Sequence, residues 1–181
     1  MNKMQQQNAE FNRAFKRPVR TTPTALPEDE IAVSVELIRE EFEDELIPAL
    51  QAGDLVESVD ACADILYVTF GLLNRLGVDV EPVYDEVQRS NMSKLGEDGE
   101  PIIAGPNDPD GIFEGRIKKG PNYFVPDIAR LLQEQGWEGP LTVPCMGCED
   151  PSPHDGHLTE AGRRRYWGSE EQVDHGGFED H

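Results

Sequence analysis

The chain has 181 residues, of which 37% are hydrophobic, and this is enough for one domain with a real core and flexible ends. Its 36 acidic and 16 basic residues give a formal net charge of −20, which disfavours binding to a nucleic acid polymer because like charges repel. No stretch approaches the roughly 18 uninterrupted apolar residues that span a bilayer, and the polar start of the chain lacks the apolar run of a secretory signal. Three cysteines do not suggest a disulfide framework. Together, these features lead us to expect a soluble, cytoplasmic protein with no membrane partner.

The first 26 residues are predicted to form an N-terminal arm with one short helix. Apolar residues occur at helical spacing only between Phe11 and Phe15, and Pro18, Pro23 and Pro27 then favour an extended segment. We expect the main domain to cover residues 27–136 and a C-terminal extension to cover residues 137–181.

Two long helices are predicted next. Apolar residues recur at helical spacing from Ile31 to Ile47 behind an acidic first turn, which predicts helix A from about Glu28 to about Leu50, with Pro48 disturbing its last turn. Gly53 then breaks the pattern.

Helix B is predicted from the capping pair Asp54 and Glu57 to Gly77. It is apolar over most of its circumference, which indicates a helix buried at the centre of a bundle.

The rest of the main domain is predicted to hold two shorter helices separated by a long loop. Helix C follows Pro82 and runs to about Ser93, and helix D fits Pro126 to about Gln135. The intervening segment is rich in Gly, Pro, Asp and Asn and is expected to be a loop with a small hairpin around Ile102 and Ile112. The predicted fold is therefore an all-α helical bundle.

Acidic residues on the two long helices form the main functional signal. In helix A, Glu40 shares a face with Asp44, and Glu41 shares one with Glu45. Taken alone, these acids are explained by a solvated helix face. Helix B adds a narrow acidic stripe on an otherwise apolar helix, made of Glu57, Asp60 and Asp64.

Buried carboxylates need hydrogen bonds, basic residues or cations opposite them. If helices A and B pack through their acidic faces, several carboxylates converge with too few lysines or arginines to neutralise them. Oxygen ligands select magnesium or manganese over zinc, and magnesium takes substrate phosphates as further ligands, so the arrangement predicts phosphate chemistry. Glu57 has a competing capping role and is left out of the site.

Four segments carry a resemblance to a known family. In chain order they are LIREEFED, DACADILYVTFGLLNRLGVD, EVQRSNMSK and KGPNYFVPDI. They resemble the motifs of MazG-like and phosphoribosyl-ATP-pyrophosphohydrolase-like all-α enzymes, many of them bacterial or phage-encoded, over about residues 11–135. The resemblance implies a helical bundle that assembles as a homodimer or tetramer. It also implies magnesium-dependent cleavage of nucleoside triphosphates to monophosphate and pyrophosphate.

The resemblance also implies site residues on helices A and B. Glu40 and Glu41 match the family's paired glutamates and are the predicted catalytic residues, with Glu40 as the candidate base. Asp44 stands where a third glutamate is usual. Asp64 matches the aspartate of the second helical motif. Ala61 stands three residues before it, where a glutamate is often found, and this difference leaves the number of metal ions open. The predicted metal ligands are Glu41, Asp44, Asp60 and Asp64.

Further along the chain, four residues are predicted to contact substrate. Asn91 and Lys94 match positions that resemble phosphate and metal-shell contacts, although helix-end capping also explains them. Lys118 and Lys119 lie in a basic loop that either closes over phosphates or pairs with surface acids.

The C-terminal extension contains the pattern C-x2-C-x5-H-x2-H. Thiolates and imidazoles are zinc ligands, so Cys145, Cys148, His154 and His157 form a candidate zinc site, but the spacing is shorter than in the usual zinc finger. A disordered tail or a redox-active cysteine pair are the alternatives.

The leading hypothesis is a magnesium-dependent nucleoside triphosphate pyrophosphohydrolase that serves nucleotide-pool control or house-cleaning, with manganese as an alternative metal. One alternative is a non-enzymatic acidic interaction protein, either a DNA mimic or an adapter with a zinc-binding tail. Another is a nucleotide sensor that keeps the fold but has weakened chemistry. The sequence contains no readable code for the base or sugar.

Overall fold

The structure, a computed structural model, describes residues 1–109 and 111–140, and the fold of this part is all-α, as predicted. The helical segments in chain order are α1 Lys3–Ala14, α2 Glu28–Arg39, a π-helical segment Glu40–Leu46, α3 Ile47–Ala52, α4 Leu55–Leu76, α5 Val80–Met92 and α6 Ile128–Glu134. No helix of this described part is long and apolar enough to cross a membrane.

The longest helix, α4, has the boundaries predicted for helix B. The side chain of Asp54 accepts hydrogen bonds from the amides of Val56 and Glu57 at 3.0 and 3.1 Å, which caps the helix N-terminus. Gly77 ends the helix with φ 72°, a left-handed conformation that glycine adopts without strain. Because α4 packs against α1, α2, the π segment and α3, it holds the central position expected of helix B.

Much of the apolar surface of α4 is uncovered in the single chain. Only four residues of α4 are buried, and three of them, Ser58, Asn74 and Arg75, are polar. Several large apolar side chains of α4 are exposed: Leu55, Val56, Val59, Leu66 and Tyr67. Within the described residues, this helix is therefore only partly covered.

The N-terminal helix is much longer than the predicted piece around Phe11–Phe15. Asn2 caps it by accepting a hydrogen bond from the Gln5 amide at 2.9 Å. Its buried side chains are mostly amides, namely Gln5, Asn8 and Asn12. Hydrophobic periodicity misses this helix because its inward face is polar.

Helix A is a continuous helical run with a π segment in its middle. It begins after Pro27, and Pro48 lies in the first turn of α3, where its missing N–H matters least. The predicted helix thus has the expected extent, but its interior makes wider turns over Glu40–Leu46.

The long loop after α5 contains a short antiparallel pairing. Ile103 and Ile117 form an isolated bridge, and the amide of Lys118 donates to the Ile102 carbonyl at 2.7 Å. The predicted hairpin therefore exists, but its second side lies five residues later than Ile112.

The arm between α1 and α2 covers the end of α4. The amides of Arg20 and Thr24 donate to the carbonyls of Asn74 and Leu76, each at 2.9 Å. These carbonyls belong to the last turn of the helix, beyond which the regular i to i+4 bonds end, and the Asn74 carbonyl otherwise accepts only a 3.3 Å bond from the Gly77 amide among the described residues. The arm therefore serves as a C-terminal cap for α4.

Candidate active site

Three carboxylates meet where the π segment faces α4. One oxygen from each of Glu41, Glu45 and Asp64 lies within 4.8 Å of the others. Glu41 is partly buried, whereas Glu45 is exposed and Asp64 partly exposed. We call this set the carboxylate group. It joins the two predicted acidic helices, as expected from sequence.

The carboxylate group is repulsive when it stands alone. Burial, followed by the charges of Glu45, Asp64 and Glu40, raises the pKa of Glu41 above its ordinary value. The side-chain contact with Glu45 acts in the same direction. The environment thus disfavours the ionised form of Glu41 unless positive charge is brought to it.

One oxygen of Glu41 has no hydrogen-bond partner in the part of the chain that the structure describes. Its Oε2 atom is buried and lies without a hydrogen bond, and it is the one such side-chain atom within the described residues. A buried polar atom left in this state costs free energy. A divalent cation would bind the unpartnered oxygen as a ligand, and it would also offset the repulsion among the carboxylates. The donor set is all oxygen, which suits magnesium or manganese.

The other predicted acids lie around the carboxylate group and not within it. Glu40 is exposed, and its charge contributes to the raised pKa of Glu41. Asp44 and Asp60 are also exposed, and Asp44 interacts electrostatically with Arg39. Their roles as base and metal ligands stay predictions.

Asn91 and Lys94 lie together at the end of α5. The Lys94 ammonium donates to the Asn91 side-chain oxygen at 2.8 Å, in the last turn of the helix. This contact fits the capping interpretation, and it leaves the remaining ammonium hydrogens available. The main packing partner of α5 is α6, so these residues belong to a different helix pair from the carboxylate group.

The two loop lysines differ in their surroundings. The Lys118 ammonium is 2.6 Å from a carboxylate oxygen of Asp108, whose side chain is only 5% exposed. The Lys119 ammonium lies 4.4 Å from the centre of the Tyr123 ring. Lys118 therefore neutralises a buried carboxylate, which favours the interpretation that it pairs with an acid.

The loop is held against α5 by several specific contacts. Ser90 donates to the Phe124 carbonyl at 2.7 Å, and the Phe124 amide donates to the Ser93 hydroxyl at 3.2 Å. Gly120 approaches the chain so closely that an added methyl carbon would lie 2.1 Å from the Leu95 carbonyl oxygen. The basic loop and the Asn91–Lys94 turn thus form one connected region.

The predicted zinc ligands Cys145, Cys148, His154 and His157 lie outside the described residues. Glu45 was not among the predicted site residues, although its shared face with Glu41 was visible in the sequence. It was left out because the resemblance matched Asp44, and not Glu45, to the third acidic position of the family.

Comparisons with known proteins show what the helical core is similar to. Residues 8–91, from α1 to the end of α5, match the model of the phosphoribosyl-ATP pyrophosphohydrolase family. This segment includes every residue of the carboxylate group, and it supports the MazG-like resemblance seen in the sequence. Pyrophosphohydrolase activity, a hydrolysis of phosphoanhydride bonds, is thereby supported at the level of the family.

Two further matches are less informative. The uncharacterized protein L479 of Acanthamoeba polyphaga mimivirus is 37% identical over 76 residues, and the match covers 40% of this chain but only 30% of that protein. A crystal structure of a candidate NTP pyrophosphohydrolase from Exiguobacterium sp. 255-15 is 22% identical and covers 74% of this chain and 94% of that one. Its TM-score of 0.37 is too low to support an argument about the fold.

Proposed function

We propose that this chain, whose residues 8–91 carry the helical core of the phosphoribosyl-ATP pyrophosphohydrolase family, is a magnesium-dependent nucleoside triphosphate pyrophosphohydrolase. The observation that carries the proposal is the buried, unpartnered oxygen of Glu41 beside two further carboxylates. In a non-enzymatic protein with a solvated acidic face, a carboxylate oxygen is not expected to be buried without a hydrogen-bond partner.

Glu41, Glu45 and Asp64 would hold the metal, with Asp44 and Asp60 as outer acids of the same surface. When bound, magnesium supplies positive charge for the phosphate oxygens and orients them for attack. Manganese fits the same oxygen donors. The bound cation would offset the mutual repulsion of the carboxylates, and the site would then present positive charge to the substrate phosphates.

Glu40 is our candidate general base. It is exposed and lies next to Glu41 in the chain, so water reaches it and its charge is not needed for packing. A carboxylate in this position accepts a proton from the attacking water as the bond to phosphorus forms. The leaving group is pyrophosphate, and the other product is the nucleoside monophosphate.

Lys94 and Lys119 are the cations that we assign to the phosphates, with Asn91 placing the Lys94 ammonium. Lys118 takes part only if it leaves Asp108, because the pair is short and Asp108 is buried. Positive charge near the leaving phosphates stabilises the charge that develops on them.

The enzyme is expected to act as an oligomer of identical subunits, a dimer or tetramer. Among the described residues, apolar side chains of α4 and the rings of Phe11 and Phe15 in α1 are exposed, and a second copy of the chain would cover them. Helix α5 with its Asn91–Lys94 turn packs mainly on α6, so a second copy also offers a way to bring cations to the carboxylate group.

The test is a turnover panel of canonical, deoxy and damaged nucleoside triphosphates, with magnesium or manganese and with pyrophosphate as the measured product. We expect metal-dependent release of pyrophosphate from at least one member and none from the Asp64→Ala variant. The matched control is Glu10→Ala, which removes an exposed glutamate of α1. Tight nucleotide binding without turnover would favour the sensor, and neither binding nor turnover would favour the interaction protein.

A further inference from the structure

Two of the segments that carry the family resemblance, EVQRSNMSK at the end of α5 and KGPNYFVPDI in the following loop, lie against each other. At one end the Asp127 amide donates to a carboxylate oxygen of Glu86 at 3.0 Å. At the other end Gly120 lies directly against the carbonyls of Lys94 and Leu95. The loop segment therefore runs antiparallel to the helical segment, and the two are in contact at both ends.

Near the middle of the loop segment, Phe124 is held by α5 through both its backbone and its ring. The Ser90 hydroxyl donates to the Phe124 carbonyl, and the Phe124 amide donates to the Ser93 hydroxyl. The Arg89 guanidinium lies 4.4 Å from the centre of the Phe124 ring. We call Arg89, Ser90 and Ser93 the Phe124 clamp. Ser90 is only 3% exposed, so water does not readily take the place of its hydroxyl.

Glu86 supports the clamp by fixing its arginine. The Glu86 carboxylate is buried and accepts hydrogen bonds from Nε and Nη2 of Arg89 at 2.7 to 2.9 Å. The Asp127 amide and the Arg89 guanidinium lower the pKa of Glu86 below its ordinary value. Glu86 thus differs from Glu41, because its buried carboxylate is bonded within the chain and needs no cation.

The clamp also fixes the turn that carries a loop cation. Tyr123 precedes Phe124 in the chain, and its amide donates to the Gly120 carbonyl at 3.1 Å. The Tyr123 ring lies against the Lys119 ammonium. Because Gly120 also touches the Lys94 carbonyl, holding Phe124 keeps this turn beside the end of α5.

We propose that the residues of the Phe124 clamp are positioning residues for substrate binding, which hold the loop on α5 so that Lys119 and Lys94 act on the same phosphates. The family match ends at residue 91, so the clamp attaches a loop outside the matched segment to a helix inside it. The role of the two lysines rests on the proposed function, whereas the attachment of the loop does not.

Limited chymotrypsin digestion of the full chain, without metal or nucleotide, tests the attachment. Cleavage after Phe124 requires the clamp to open, whereas Phe113 is 69% exposed and serves as an internal reference. In Ser90→Ala we expect the ratio of cleavage after Phe124 to cleavage after Phe113 to rise at least about fivefold. Asp85→Asn, at an exposed position of the same helix, is the matched control and should leave the ratio unchanged.

Arg89→Lys tests the clamp from its other side. The Arg89 side chain is 62% exposed, so the exchange does not threaten the fold. Lysine keeps the charge but loses the forked pair with Glu86 and the flat contact with the Phe124 ring. We expect the same cleavage ratio to rise at least about twofold. An unchanged ratio in both variants would overturn the clamp.

Pyrophosphate release then tests whether the clamp acts through Lys119. Ser90→Ala and Lys119→Ala should each raise the KM for nucleotide by about three- to tenfold, with little change in kcat. The double variant should match Lys119→Ala to within about twofold, because no cation is left to position. If the two effects multiply instead, the serine acts independently of Lys119 and the positioning role is wrong.

Two further outcomes separate the inference from the proposed function. A loop that opens in Ser90→Ala without any change in KM would show that the attachment serves the fold alone, which also overturns the positioning role. If the unaltered protein releases no pyrophosphate from any nucleotide, the proposed function fails. The cleavage ratios still decide in that case whether the clamp holds the loop on α5.

Discussion

Polar clusters meet helix α4 at two places, and among the described residues only one of the two has all its buried atoms hydrogen-bonded. Where α1 crosses α4, Asn74 accepts from Gln5 at 3.2 Å and donates to the Asn8 side chain at 3.0 Å. Asn8 in turn donates to the Tyr67 carbonyl at 2.9 Å, and Asn12 donates to Asn8. Where the π segment faces α4, the carboxylate group leaves a buried oxygen without a partner.

The difference separates a structural polar cluster from a functional one. Every donor of the amide network has an acceptor within the chain, so the network fixes how α1 lies on α4 and needs nothing from outside. The carboxylate group contains acceptors only, and its members repel one another. A cluster that the fold cannot satisfy by itself indicates a ligand of opposite charge. The following predictions test this contrast, from the largest expected effect to the smallest.

Asn74→Asp should break the satisfied cluster. The substitution keeps the shape but replaces two donated hydrogen bonds by an acceptor that faces the oxygens of Gln5 and Asn8. Because the position is 1% exposed, we expect a loss of about 3–5 kcal/mol in the free energy of unfolding. Chemical denaturation measures it, with Asn107→Asp at an exposed position as the control. A change of less than about 1 kcal/mol would contradict the role given to the network.

Glu41→Gln is the opposite exchange, made in the unsatisfied cluster. We expect nucleotide hydrolysis to fall by at least about a hundredfold, because the amide is a poor metal ligand. Without metal the variant should be as stable as the unaltered protein or more stable, because burial and repulsion no longer act on a charge. A stable variant with full activity would show that the carboxylate group is not the site.

Gly120→Ala extends the comparison to the loop on α5. The added methyl group meets the carbonyls of Lys94 and Leu95, so the loop has to move away from the helix. We expect the KM for nucleotide to rise by about three- to tenfold, equivalent to about 1 kcal/mol of lost binding, with little change in kcat. Gly105→Ala, where an added methyl carbon meets nothing within 4 Å, is the control. Equal KM values for the two variants would separate the loop from the substrate site.

The pH dependence of metal-free stability should show the smallest effect. The raised pKa of Glu41 means that the folded protein holds this proton more tightly than the unfolded chain. From the unfolded value of about 4.3 up to the raised value, the folded state binds more protons, so stability falls as pH rises. Thermal unfolding of the unaltered protein minus that of Glu41→Gln isolates this contribution. A difference that is independent of pH would show that Glu41 keeps an ordinary pKa.

The sequence predicted the long helices well because their signals are local. The Asp54 cap, the terminal Gly77 and the apolar spacing set the bounds of α4 without any knowledge of its neighbours. The extent of α1 was missed because its buried face consists of amides, whose partners lie about 70 residues away on α4. Glu45 was missed for a different reason, since the family resemblance assigned the third acidic position to Asp44.

The arm that caps α4 has a consequence for local opening of the protein. Amides outside regular secondary structure usually exchange their hydrogens with solvent quickly. Those of Arg20 and Thr24 are instead bonded to the last carbonyls of the longest helix, so they should exchange only when the end of α4 frays. The hydrogen-exchange rates of these two amides would thus measure how often α4 opens at its C-terminal end.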